Sequence, residues 1–203
     1  IDLLIRVFCE PNQDSVMITE PTYGMYRVCA NINAVEIQNV LLTKDYQLDS
    51  EGILKAINPT TKIIFLCSPN NPTGNLLRVE DIFLILNKFA GLVVVDEAYI
   101  DFAGDISLIK ELKNYPNLVI LQTFSKAWGL AGLRLGMCFA SEAIIALLNK
   151  VKYPYNVNIK TQELAVASLL QVDKKNKAVT EILSERAELI VALKQLPFVN
   201  KVY

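Results

Sequence analysis

The chain has no histidine. Its four cysteines, Cys9, Cys29, Cys67 and Cys138, form no CxxC pair. Together these absences exclude a zinc site and a disulfide framework, so no metal is expected. Cysteines scattered through apolar segments suit a reducing compartment, and a cytoplasmic setting is expected. Excess charge of either sign is also missing: 20 Lys and Arg face 21 Asp and Glu, for a net charge of −1. That balance leaves no electrostatic footprint for nucleic acid or for an anionic membrane surface. No apolar run reaches the length of a membrane span. There is no internal repeat and no low-complexity tract.

What is present is a long apolar inventory. Hydrophobic residues make up 52% of 203 positions, enough for one sizeable core and part of another. The chain opens on Ile1-Asp2-Leu3-Leu4-Ile5-Arg6-Val7-Phe8, which has helical apolar spacing but neither an initiator Met nor an N-cap before it. It closes on Lys201-Val202-Tyr203 without a stop signal. Both ends read as cut, and an internal piece of a longer protein is expected.

Short apolar runs alternate with helical patterns. The runs predict strands over 15–19, 34–39, 62–67, 92–96, 118–123 and 136–140. Helical spacing predicts helices over 1–9, 23–31, 49–56, 79–89, 103–112 and 142–151. Near-continuous, β-branched strands separated by helices imply an α/β fold: three layers, a mostly parallel sheet with helices on both faces. Ligands of such sheets bind beyond the carboxyl ends of the strands. Tyr23, Asn71, Asp96, Tyr99 and Lys126 all fall at the end of, or just after, predicted strands. From Tyr153 the texture changes to the Pro- and Asn-bearing connector 153–158. A helix over 161–170 and a long one over 174–196, ended by Pro197, follow. Two units are expected, 1–152 and 153–203.

Four segments carry chemistry. Thr123-Phe124-Ser125-Lys126 through Arg134 places one amine, two hydroxyls and one guanidinium after an apolar run. A lysine nucleophile must lose its proton, which partial burial and nearby cations favour; taken alone, Lys126 reads as a solvated surface lysine, as most lysines are. Arg134 offers a fork matched to phosphate oxygens, with Ser125 and Thr123 as further donors. The bland alternative is a structural ion pair and two turn caps. Asp96-Glu97-Ala98-Tyr99 ends an apolar strand, where a carboxylate can hold a protonated ring nitrogen. A nucleotide-binding reading of Asp96-Glu97 needs a GxxxxGK[ST] loop, and none exists. Ser68-Pro69-Asn70-Asn71-Pro72-Thr73-Gly74 is a turn, whether or not it also aims the Asn71 amide. Pro21-Thr22-Tyr23-Gly24-Met25-Tyr26 presents Tyr23 either as a stacking partner or as a packed aromatic.

In this order and spacing the four segments resemble fold-type I pyridoxal-phosphate (PLP) enzymes of the class I/II aminotransferases, over roughly residues 1–158 and more weakly to the end. PTYGMY, SPNNPTG and DEAYIDF are similar to the histidinol-phosphate branch of that family. The resemblance implies an aminotransferase whose cofactor is pyridoxal 5'-phosphate. Lys126 would form the Schiff base and shuttle a proton, Asp96 pair with the pyridinium, and Asn71 and Tyr99 hold the phenolic oxygen. Tyr23 would stack on the ring, and Ser125, Arg134 and Thr123 bind the phosphate. It implies cis bonds before Pro21 and Pro72. It implies a small-molecule amino-acid or phosphate substrate: amino transfer from glutamate to imidazole-acetol phosphate in histidine biosynthesis, by a homodimer. Aromatic aminotransferase, threonine-phosphate decarboxylase and non-catalytic PLP module are the alternatives that share the scaffold.

Members of the family also have a strand and a Gly-bearing turn ahead of the helix that here starts at Ile1. That strand would pair with 136–140, which would otherwise expose an apolar edge. An N-terminal segment reaching the neighbouring subunit and a carboxylate-binding Arg lie outside the matched residues. The resemblance therefore implies a cofactor-binding large domain over 1–152 and the start of a small domain over 153–203. It also implies no turnover by these residues alone.

Overall fold

A computed structural model describes all of residues 1–203. Strands β1 (Ser15–Ile18), β2 (Glu36–Asn39), β3 (Thr61–Cys67), β4 (Leu92–Asp96), β5 (Leu118–Thr123) and β6 (Gly136–Phe139) form one sheet in the order β2-β1-β3-β4-β5-β6. All neighbours are parallel except β5 and β6, which run antiparallel. The helices are α1 (Asp2–Phe8), α2 (Met25–Ile32), α3 (Ser50–Ala56), α4 (Val79–Lys88), α5 (Glu142–Val151), α6 (Ile159–Leu169) and α7 (Val172–Lys194).

The central strands carry apolar side chains on both faces because both faces are covered. Val16, Ile18, Ile63, Phe65, Val94 and Val119 point to a core shared with α1, α2 and α5. Their alternating neighbours Met17, Ile64, Leu66, Val93, Val95, Leu118 and Ile120 point to a second core under α3 and α4. Complete burial of a side chain such as Phe65 contributes about 2–3 kcal/mol. The fold is thus the three-layer, mostly parallel α/β arrangement that the alternation of runs predicts. The connection after β1 runs outward to β2, and the chain then returns across β1 to β3. This reversal opens a crevice at the carboxyl ends of β1 and β3.

One predicted helix, 103–112, is absent. Its place is taken by two short 3-10 turns, Ile100–Phe102 and Leu108–Glu111, separated by Gly104 at φ 86°. The cause is Glu97, which is buried. Its carboxylate accepts from Ser107 Oγ at 2.6 Å, the Leu108 amide at 2.8 Å and Gln122 Nε2 at 2.9 Å. An amide held by a side chain is withdrawn from any helical ladder. Ile106, Leu108, Ile109 and Leu112 keep helical spacing, but the segment is drawn inward by a charge and not by a helix face. Glu97→Ala strands three donors around a cavity. It is expected to cost about 2–4 kcal/mol in urea unfolding, with Glu97→Gln costing less because its amide oxygen still accepts.

Candidate active site

A cleft of about 540 Å³ opens at the carboxyl edge of the sheet, within the range of small-molecule sites. Its lining includes Tyr23 from the loop after β1, Asn71 after β3, Asp96 and Tyr99 at and after β4, and Thr123, Ser125, Lys126 and Arg134 at and after β5. All eight residues singled out from the sequence therefore meet at one cavity. Lys126 is the one lysine among the lining residues.

Asp96 is the buried charge of the site, 6% exposed at the end of β4 beside Cys67 at the end of β3. Tyr26, fully buried on α2, donates its hydroxyl to Asp96 Oδ2 at 2.8 Å, and the Ala98 amide donates to Oδ1 at 3.1 Å. Burial pushes the Asp96 carboxyl above the ordinary aspartate value; the Tyr26 hydroxyl and the Ala98 amide oppose it. The same burial, reinforced by the negative charge of Asp96, pushes the Tyr26 phenol well above its ordinary value and the Cys67 thiol up to about 11. Both are neutral donors near neutral pH. Lys126, in the same cleft, also opposes the rise of the Asp96 carboxyl, but Asp96 forms no ion pair.

Tyr26 was invisible in the sequence as a site residue. It stacks on Phe65 with centroids 4.9 Å apart and planes 11° apart, while Tyr23 meets it edge-on at 5.6 Å. Tyr23 is 39% exposed and lines the cleft. The loops bearing Tyr23 and Asn71 are tied by a neighbour of the predicted residue. Buried Asn70 donates to the Pro21 carbonyl at 2.9 Å and to Thr73 Oγ1 at 2.7 Å, and accepts from Thr22 Oγ1 at 3.0 Å. Asn70 therefore holds the turn, which leaves the Asn71 side chain in the cleft. Cis bonds precede Pro21 and Pro72, as the resemblance implies, and also Pro69.

The loop after β5 departs from expectation in two respects. Lys126 is exposed and not partly buried, and its Nζ lies 5.0 Å from the centroid of the Tyr99 ring. The Thr123 hydroxyl is occupied: it donates to the Leu135 carbonyl at 3.2 Å and accepts from the Ser125 amide at 3.0 Å. Thr123 lines the cleft but spends its hydrogen on the loop, and its capping role sets the Ser125 turn. Gly129 takes φ 66° so that its amide can close back on the Lys126 carbonyl at 2.9 Å. Arg134 sits in the left-handed region at φ 52°, a conformation costing a non-glycine residue about 1 kcal/mol. One of its guanidinium nitrogens donates to the Ala131 carbonyl at 2.9 Å, and the rest of the fork has no protein partner.

Comparison with known proteins places this arrangement. A family model described as aminotransferase class I and II matches residues 1–201. The histidinol-phosphate aminotransferase of Flavobacterium johnsoniae is 56% identical over 203 residues, which are 100% of this chain and 58% of that protein. The chain thus spans 58% of the length of that curated relative. The crystal structure of the histidinol-phosphate aminotransferase from Clostridium acetobutylicum superposes with a TM-score of 0.89 at 26% identity, covering 98% of this chain and 60% of that one. The Sinorhizobium meliloti histidinol-phosphate aminotransferase, solved in complex with pyridoxal-5'-phosphate, gives 0.83 at 24% identity, covering 94% and 53%. With the family model running almost end to end over this fold, the chain belongs to the class I and II aminotransferases.

Proposed function

We propose that this chain carries the pyridoxal 5'-phosphate site of an enzyme that moves the amino group of glutamate to imidazole-acetol phosphate, giving histidinol phosphate and 2-oxoglutarate. The carrying observation is that a single lysine, Lys126, shares one cleft with a buried carboxylate, Asp96, whose charge is felt by that lysine but which forms no ion pair. The identity of 56% over the full 203 residues supports the substrate. Similarity of fold alone does not select it, because decarboxylases share the scaffold.

The donor set suits the cofactor. Ser125 and the free part of the Arg134 fork would hold its phosphate, and Thr123 would set the Ser125 turn. Asp96 would keep the proton of the ring nitrogen, with Tyr26 and Ala98 fixing the carboxylate's orientation. The Asn71 amide and the Tyr99 hydroxyl would take the phenolic oxygen, and Tyr23 would cover a ring face. When bound, the cofactor supplies an aldehyde for a lysine amine and a ring that withdraws electrons from the substrate's α-carbon. Lys126 is the amine of this set, and the proton carrier at that carbon. Residues 1–152 form the cofactor-binding domain in this reading, and 153–203 begin a second one. The whole protein works as a cytoplasmic homodimer.

Three outcomes test the reading. Treating the protein with pyridoxal phosphate and then borohydride should fix one adduct, mapped by mass spectrometry to Lys126 and lost in Lys126→Ala. An adduct spread over many lysines, or unchanged in the variant, refutes the assignment. Asp96→Asn keeps both hydrogen bonds, because the Tyr26 hydroxyl can reverse. A carboxyl raised by folding binds protons more readily in the folded state than in the unfolded one. Stability of the ligand-free wild type therefore falls as pH rises above the ordinary aspartate value and through the raised one. The variant lacks this loss, so its stability relative to wild type should grow from pH 3.5 to pH 7 in urea titrations, while transamination by the whole protein falls about 100-fold or more. In the whole protein, glutamate with imidazole-acetol phosphate should release 2-oxoglutarate; carbon dioxide release from threonine phosphate without an amino donor would favour a lyase instead.

A further inference from the structure

Among the ion pairs of the molecule, one is sheltered on both sides. Lys175 Nζ on α7 lies 2.7 Å from Asp101 Oδ1, with side chains 15% and 24% exposed. In every other pair at least one partner is 39% exposed or more. Exposed pairs contribute little because water screens them. A sheltered one holds its geometry, since separating the partners strands both charges. The same ammonium stands 5.4 Å from the centroid of the Trp128 ring, within cation–π range.

The placement of those two partners gives the contact its meaning. Asp101 lies two residues after Tyr99, in the 3-10 turn Ile100–Phe102. Trp128 lies two residues after Lys126 and packs on buried Phe124 at 5.5 Å. Lys126 Nζ itself faces the Tyr99 ring at 5.0 Å. Lys175 therefore grips, from outside the cleft, the same two loops whose reactive side chains meet inside it. No hydrogen bond or ion pair between Asp101 and Trp128 joins these loops directly. The ammonium of a helix 74 positions away in sequence makes the bridge.

We propose that Lys175 is a positioning residue for Lys126: by bridging Asp101 and Trp128 it holds the Tyr99 and Lys126 loops in register. The inference rests on the reading of Lys126 given above, and adds that α7 sets the geometry of the amine. Beyond Lys175 the same helix places Ile182, Leu183 and Arg186 against the loop of Asn71 and Pro72, around a second cavity of about 460 Å³. Movement of α7 would then be felt on both sides of the cofactor cleft.

The test compares wild type with Lys175→Met, which keeps the stem and removes the charge, and Lys175→Arg, which can still pair with a carboxylate and stack on an indole. Trp128 is the single tryptophan of the chain, so its emission reports the bridge without labelling. Two further readouts are amide hydrogen exchange in 98–103 and 125–130, and the rate of borohydride-fixed pyridoxal phosphate labelling at Lys126. In Lys175→Met, exchange in both segments should accelerate about fivefold or more while the strand amides keep their protection. Labelling at Lys126 should slow, and Trp128 emission should shift. Lys175→Arg should restore most of all three. Unchanged exchange in the two segments of Lys175→Met overturns the proposal, as does faster exchange with Lys126 labelled at the wild-type rate. Acceleration throughout the sheet would mark Lys175 as a general stabiliser and also overturn it. If wild type itself takes no label at Lys126, the cofactor assignment fails, and the exchange pattern alone then decides whether Lys175 holds the two loops.

Discussion

The arrangement of this cleft depends on keeping a charged carboxylate at the buried end of a central strand. Asp96 sits where β4 meets the crevice, with apolar strands on either side. The Tyr26 hydroxyl is its nearest neutral partner, at 2.8 Å from a helix 70 positions earlier in sequence. One hydrogen bond of this kind offsets only part of the desolvation, which is why the carboxyl stays raised. The fold tolerates that cost at one place, where an incoming cation would remove it. The surrounding side chains follow from this constraint: Tyr26 is locked by stacking on Phe65, and Cys67 is kept a neutral thiol beside the charge.

A second layer of organisation lies outside the cleft and consists of small ties between loops. Asn70 sews the loop after β1 to the loop after β3. Glu97 fastens the chain after β4 to Gln122 on β5. Lys175 reaches from α7 to the loops after β4 and β5. Asn70, Glu97 and Lys175 do not themselves line the main cavity. Each removes freedom from a neighbour that does, so less ordering entropy remains to be lost when a ligand arrives.

Much of the fold can be read from the chain because its strands are continuous β-branched and apolar runs. β4 and β5 begin and end where such runs do, at Leu92–Asp96 and Leu118–Thr123. The eight candidate residues are equally legible, since each ends or follows a strand that the topology brings to one edge. What the chain conceals depends on distance in sequence. Tyr26 reads as one more aromatic of PTYGMY until the sheet puts it under Asp96. The resemblance picks Asn71 out of SPNNPTG, but only packing shows that its neighbour Asn70 holds the turn. The segment 103–112 has the period of a helix, but a carboxylate from another segment captures its backbone, and no local pattern records that. Thr123 has the right chemistry for an anion, yet its hydrogen is already given to Leu135.

The Glu97 knot also bears on how this scaffold can change. Ser107 and Leu108 are fastened to a side chain that adjoins Asp96, whereas Gly104, Asp105 and Ile106 just before them are exposed. Residues could be added or deleted across those three positions, and the slack would be absorbed at the surface, upstream of the anchor. Length variation, and any new surface feature it brings, can therefore accumulate about ten residues from Asp96 without displacing it.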